Sequence, residues 1–290
     1  MKIIILTTNL VAGISLKEKL KRIDKMFKSI DCLSDDFIKK NPKICTNTKY
    51  IFSTWNMPFF SEEEIKNYFP SLKAIFYAAG SVKYFAEPFM KCGVRIFSSY
   101  IANAIPVAEF VLAQILLANK GYFQAAREYK KPFWKISFKK ARIHTLNKKG
   151  NYKSKIGVIG YGAIGSKVVE LLKPFEFEVF VCDPNLSLEF ANKINVIKCN
   201  LKEIFIKCDV ITNHLPDIQK TKGIINFKLL SLMKDNATFI NTGRGAQVVE
   251  NDLEKVMSDK PSACALLDVT QIEPIKPRPF KWRKSYFKSC

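Results

Sequence analysis

A glycine-rich turn, Gly160-Tyr-Gly162-Ala163-Ile164-Gly165, lies between the apolar run Lys155-Ile-Gly-Val-Ile159 and the helix-like stretch Ser166-Lys-Val-Val-Glu-Leu-Leu172. A strand that runs through such a turn into a helix is the opening unit of a doubly wound α/β sheet. The first glycine permits the tight turn, the second lets backbone approach a pyrophosphate, and the third lets the helix pack on the strand. The helix N-terminus then faces the phosphates, which assigns Gly160, Gly162, Ala163, Ile164 and Gly165 to a dinucleotide. The spacing alone is a weak signal, and its context strengthens it. Glu178-Val-Phe-Val-Cys182 reads as the second strand and ends at Asp183, 18 residues beyond Gly165, close to the spacing at which a carboxylate reaches the adenosine ribose. Asp183 would repel a 2′-phosphate, and Pro184 and Asn185 supply no arginine to receive one, so NAD is expected rather than NADP.

With 290 residues the chain can bury a sizeable core and is expected to form two domains. Short apolar runs alternate with helix-like stretches in the first hundred residues, with strands expected at 3–6, 50–53, 74–77 and 94–97. Ser61-Glu-Glu-Glu64 has capping-box spacing, and 83–91 reads as another helix. This is the pattern of a small, flavodoxin-like α/β domain. One long apolar helix over 103–126 links it to the second half, and a basic loop ends near Gly150. Strands then follow the glycine turn at 196–198, 209–213, 237–240 and 263–267, giving a Rossmann-like doubly wound parallel sheet. The expected boundaries are 1–103 for the first domain, 104–126 for the linking helix, 127–272 for the nucleotide domain, and 273–290 for an atypical basic tail.

Composition narrows the function classes. The formal charge of +21 invites a nucleic-acid role, yet lysine greatly outnumbers arginine and is spread along the whole chain. Nucleic-acid readers concentrate basic residues in patches, so no such partner is expected. The start of the chain reads as a strand, because Thr7, Thr8 and Asn9 interrupt its apolar residues before helical spacing takes over. No membrane span and no membrane partner are expected. Eight cysteines without C-x-x-C spacing indicate neither a metal site nor a disulfide scaffold, and a reducing cytoplasm fits them.

Three further segments begin at the carboxyl ends of expected strands, where doubly wound folds place ligands. They are Asn213-His214-Leu215-Pro216, Asn241-Thr242-Gly243-Arg244-Gly245, and Leu267-Asp268-Val269 with Glu273-Pro274. Together with Ala79-Gly80, Asn103-Ala-x-x-Val-Ala-Glu109, the Gly160 turn and Asp183, in this order, they make the chain resemble the D-isomer-specific 2-hydroxyacid dehydrogenase family from about Ser71 to Pro274. The resemblance implies an NAD-dependent oxidoreductase that moves a hydride between NAD(H) and a small 2-hydroxy or 2-oxo acid, as a homodimer. It places Arg244 on the substrate carboxylate and 2-oxo group, and pairs Glu273 with a catalytic histidine. The backbone of Ala79 and Gly80 would receive the substrate carboxylate. His214, Leu215, Pro216, Thr221, Thr242, Gly243 and Asp268 would lie on the cofactor. Physically, Arg244 suits its role because a planar guanidinium offers a carboxylate two parallel donors.

The family's catalytic histidine follows the Glu-Pro pair in a Pro-His turn, whereas the ending here, Lys276 to Cys290, contains no histidine. The two histidines present, His144 and His214, match that role poorly. An abrupt change to a basic, pattern-poor tail is what a frameshift or premature stop would produce. The expectation is a C-terminally truncated member that keeps NAD binding better than turnover. The alternative is a non-catalytic NAD-binding or regulatory protein.

Overall fold

The computed structural model describes residues 2–24, 30–131, 133–272 and 286–288. It divides into two compact units, Met1–Ala104 and Ile105–Cys290. In the first, five strands, β1 (Lys2–Leu6), β2 (Asp31–Leu33), β3 (Thr48–Ser53), β4 (Ala74–Tyr77) and β5 (Arg95–Ser98), alternate with helices α1 (Leu10–Ile23), α2 (Asp35–Lys40), α3 (Glu62–Tyr68) and α4 (Ala86–Lys91). All pairings are parallel, in the order β2-β1-β3-β4-β5. That order is the flavodoxin-like one. Ser61 begins α3 through the expected capping box, its side chain accepting from Glu64 N while the Glu64 carboxylate accepts from Ser61 N. Ile4, Leu6, Ile51 and Ile75 pack with Phe60, Phe69 and Phe89 into one core.

The second unit begins within α5 (Tyr100–Asn119) and continues with α6 (Tyr122–Tyr129) and α7 (Trp134–Leu146). Strands β6 (Lys155–Ile159), β7 (Glu178–Cys182), β8 (Ile197–Lys198), β9 (Val210–Asn213), β10 (Thr238–Asn241), β11 (Cys264–Leu267) and β12 (Tyr286–Lys288) form one parallel sheet, ordered β12-β11-β10-β9-β6-β7-β8. Helices α8 (Ala163–Leu172), α9 (Leu188–Lys193), α10 (Leu201–Lys207), α11 (Phe227–Leu230) and α12 (Glu250–Asp259) connect its strands. The strand order reverses between β6 and β9, the switch point at which such sheets bind nucleotides.

Side-chain alternation sorts this sheet into two cores, because successive residues of a strand point to opposite faces. Ile156, Val158, Val179, Val181, Val210, Ile240 and Leu266 meet α5 and α8 on one face. Ile159, Phe180, Ile211, Phe239 and Ala265 meet α10 and α12 on the other.

Several expectations change. The long helix expected over 103–126 is two helices, broken at Gly121, whose φ of +67° and approach to the His144 carbonyl (2.8 Å from a built Cβ) leave no room for a side chain. The basic loop before Gly150 is largely helix α7, which buries only Ser137 and Ala141 and so carries no apolar stripe. The short strand β2 was not expected. In the basic tail, Tyr286–Lys288 pairs in parallel with β11. Helix α5, 20 residues long with a mean hydropathy of 1.8 over its most apolar 18, is by length and composition able to cross a membrane, although no stretch of that apolar length was expected. One face of α5, bearing Ala108, Val111, Ile115 and Ala118, is fully buried in the second unit.

Candidate nucleotide and substrate site

The glycine turn leaves β6 with Gly160 at φ +90°, where a built Cβ would stand 2.8 Å from the carbonyl oxygen of His214. Only glycine fits that backbone and that contact. At Gly165 a Cβ would fall 1.9 Å from the Gly160 carbonyl oxygen, so α8 rests directly on the turn. Gly162 differs, since a Cβ there would meet nothing within 4 Å. It caps α8 without any side-chain hydrogen bond. The first-turn N–H groups of α8, from Ala163 onward, have no side-chain cap and lie at the positive end of a ten-residue helix. This is a cradle for a dinucleotide pyrophosphate.

Asp183 stands at the end of β7 and is held by its own hydrogen bonds. Its Oδ2 accepts from Tyr161 N at 2.7 Å and its Oδ1 from Asn185 N at 2.8 Å. The carboxylate thus joins the glycine turn to the next strand and lines a cleft of about 330 Å³ with Tyr161, Asn185, Leu186, Ser187 and Phe190. The residues present therefore fit NAD. The turn suits a pyrophosphate, and a carboxylate stands beside it for the ribose.

The segments after β9 and β10 meet through a buried amide network that sequence reasoning missed. Asn213 Nδ2 donates to Asn241 Oδ1 (2.9 Å) and to Gln247 Oε1 (2.7 Å). Gln247 Nε2 donates to the carbonyls of Leu215 (2.8 Å) and Pro216 (3.0 Å), and its Oε1 also accepts from Arg244 N (3.1 Å). Gln247 is 1% exposed. It fixes both loops at once, and its only sequence trace is a position three residues past Arg244. Thr221 joins the same group by donating to Pro216 O at 2.6 Å.

Arg244 is exposed on this buried platform, its Nη1 donating to Gly243 O at 2.7 Å. Asp268 stands half-buried on the neighbouring strand end, its N–H donating to Asn241 O at 3.0 Å. Gly245 lets the β11 loop close in, since a Cβ there would lie 2.0 Å from the Thr270 carbonyl carbon. Gly243, Thr242, Arg244 and Asp268 are thus brought to one edge of the sheet, with His214, Leu215 and Pro216 beside them. Glu273 lies outside the described residues.

His214 is 8% exposed, and both ring nitrogens have partners, Thr212 Oγ1 at 2.9 Å and Thr242 Oγ1 at 3.2 Å. Burial pushes its pKa down to about 3, so it is neutral at physiological pH. Its backbone approaches the glycine turn while its ring ties β9 to the β10 loop. His144 lies on α7, its Nε2 3.8 Å from Glu128 Oε1. Burial pushes the Cys199 and Cys264 thiols up to about 12, which removes them as nucleophiles. Among the described residues no group of His, Cys, Asp and Glu could hold a metal ion.

Ala79 and Gly80 belong to the first unit, where the Ser98 hydroxyl faces both of their carbonyls, at 3.0 and 2.5 Å. A cavity of about 480 Å³ adjoins them in that unit, lined by residues including Thr8, Asn56, Tyr77, Ser81 and Tyr84.

Fold and site together define a two-unit α/β protein with a dinucleotide-binding domain of dehydrogenase type. Over residues 112–286 the chain matches the model of the D-isomer specific 2-hydroxyacid dehydrogenase NAD binding domain, and it belongs to that family. NAD is accordingly its cofactor. It is 31% identical over 182 residues to D-3-phosphoglycerate dehydrogenase of Haemophilus influenzae, a match covering 63% of this chain and 42% of that protein. The chain thus matches less than half of that relative's length. Among solved structures, a Granulicella formate dehydrogenase superposes with a TM-score of 0.74 at 20% identity, covering 96% of this chain and 75% of that one. The NAD-dependent formate dehydrogenase of Staphylococcus aureus in complex with NAD gives 0.70 at 20% identity, covering 100% and 88%. At that identity the likeness concerns the fold.

Proposed function

We propose that the chain is an NAD-dependent oxidoreductase acting on a small 2-oxo or D-2-hydroxy acid, with slow turnover. The observation that carries this reading is the exposed Arg244 on its buried Asn213–Asn241–Gln247 platform, at the same sheet edge as the glycine turn. A guanidinium in that position holds a carboxylate through two parallel donors and withdraws charge from an adjacent 2-oxo group. Asp183 would receive the ribose hydroxyls, the N-terminus of α8 the pyrophosphate, and Thr242 and Asp268 the nicotinamide side. When bound, NAD supplies or takes up the hydride. Reduction also needs a proton at the substrate oxygen, and His214 is sequestered by two threonines while His144 lies beside Glu128. Neither of these two histidines is thus placed to assist, and the roughly 10²- to 10⁴-fold that a general acid–base group contributes is not supplied by them.

Self-association would use α6 and α7, which together expose Tyr129, Trp134, Phe138 and Leu146 to a second copy. The cytoplasmic assignment is supported by the seven described cysteines, all free thiols.

The test pairs NAD titration with NADH oxidation on a panel of 2-oxo acids. Micromolar NAD binding with slow, Arg244-dependent turnover is expected. Binding without turnover on any acid would favour a non-catalytic NAD-binding protein, which the sequestered histidines also suit.

A further inference from the structure

The opposite, amino-terminal edge of the same sheet holds a second cavity, of about 340 Å³, lined by Gln124, His144, Asn147, Lys148, Asp235, Asn236 and Ser262. Its volume is within the range of small-molecule pockets, about 300–1,000 Å³. Gln124 is 1% exposed. Its Nε2 donates to Ser262 O at 3.1 Å, which sets the orientation of the amide, and its Oε1 is buried with no hydrogen-bond partner. An orphaned buried acceptor of this kind costs about 1–3 kcal/mol unless a donor reaches it.

Lys148 is the second feature. Its Nζ donates to Asn236 O, leaving two ammonium protons unassigned, and no described carboxylate lies within ion-pair distance of it. The acids nearby are engaged elsewhere, Asp209 with Lys234 at 2.7 Å and Asp235 with Lys260 at 3.4 Å. Glu128, beside His144, is held by Lys131 at 2.6 Å. Burial pushes the Lys148 pKa down to about 8, and the Asp209 carboxylate, itself paired with Lys234, offsets only part of that cost. The cavity thus presents a buried cation with no described ion-pair partner and an unfilled amide acceptor, a pair that apolar packing does not need.

We propose that this cavity is a second ligand site, taking a small carboxylate that carries a hydroxyl or ammonium group beside it. The carboxylate would sit on Lys148 and the adjacent donor on Gln124 Oε1. The site is separate from the nucleotide edge and does not depend on turnover there.

Saturation-transfer NMR on the full chain saturated with NADH tests it, with lactate, glycine and propionate as probes. Lactate carries the hydroxyl, glycine the ammonium, and propionate neither. Lactate or glycine should bind at least about tenfold more tightly than propionate, and whichever binds identifies the donor. Measured in an Arg244→Gln background, which removes carboxylate binding at the nucleotide edge, Lys148→Met and Gln124→Met should each weaken that binding about tenfold, the scale of one charge-assisted or buried hydrogen bond. NADH fluorescence confirms that each variant is folded, and either variant alone suffices to read the site. The proposal is overturned if no probe binds, if propionate binds as well as the others, or if both cavity variants bind normally. Absence of all probe binding in the Arg244→Gln background would also overturn it, by assigning the binding to the nucleotide edge.

Discussion

His214 makes the stability of the nucleotide domain depend on pH in a calculable way. Its ring is buried and bonded to Thr212 and Thr242, and its pKa is pushed down to about 3, against about 6.5 for an unfolded histidine. A depressed pKa means that the unfolded chain takes up a proton the folded chain refuses. The contribution is therefore fully present above about pH 6.5 and is lost as the pH falls toward 3. Between pH 7 and pH 5 the loss is about 2 kcal/mol. That figure hardly depends on the folded value, since any folded pKa below about 4 leaves the ring neutral at pH 5. The assay is urea unfolding, followed by far-UV circular dichroism, at pH 7 and pH 5, for the native chain and for His214→Gln. The variant loses hydrogen bonds and so shifts the baseline, but the decisive quantity is the difference between the two pH dependences. His144 and the carboxylates titrate in both proteins and cancel. A native chain that loses about 2 kcal/mol more than the variant is expected. Equal losses would show that the ring is solvated or already protonated, and would refute the buried-neutral assignment.

Two contrasts at the glycine turn and Asp183 follow. Gly165→Ala drives a methyl against the Gly160 carbonyl at 1.9 Å and should cost about 2 kcal/mol or more in stability, overpacking outweighing the gain in helix propensity. Gly162→Ala meets nothing within 4 Å, so it should leave stability within about 0.5 kcal/mol while weakening NAD binding, as read by parallel denaturation and NADH fluorescence titrations. Asp183→Ala should weaken NAD about tenfold or more and narrow its preference over NADP by the same factor, the scale of a charge-assisted hydrogen bond; competitive titration of the two nucleotides measures it.

Much of this architecture was legible from local pattern. The ends of β6, β7 and β4 agree with their apolar runs to the residue, because a buried parallel strand needs consecutive apolar side chains for both faces. The Gly160 turn and Asp183 were readable for a related reason: their roles depend on backbone conformation and short spacing. Helix α7 was not readable, since its only buried residues are Ser137 and Ala141 and its lysines and aromatics face outward. Nor was the break at Gly121, which answers to the His144 carbonyl, 23 residues away in sequence. Gln247 was missed because its partners, at positions 213, 215, 216 and 244, are separated in sequence and meet only where β9 and β10 end together.

The sequence by itself determined the doubly wound sheet, the glycine turn and the acid at the end of the strand beside it, all of which rest on interactions between near neighbours in the chain. Only the tertiary structure decided what the histidines and the amides do. It buried His214 between two threonines, built the platform under Arg244, and left Gln124 and Lys148 facing one cavity. Those outcomes depend on which strand ends become neighbours in the sheet, and no local periodicity encodes that.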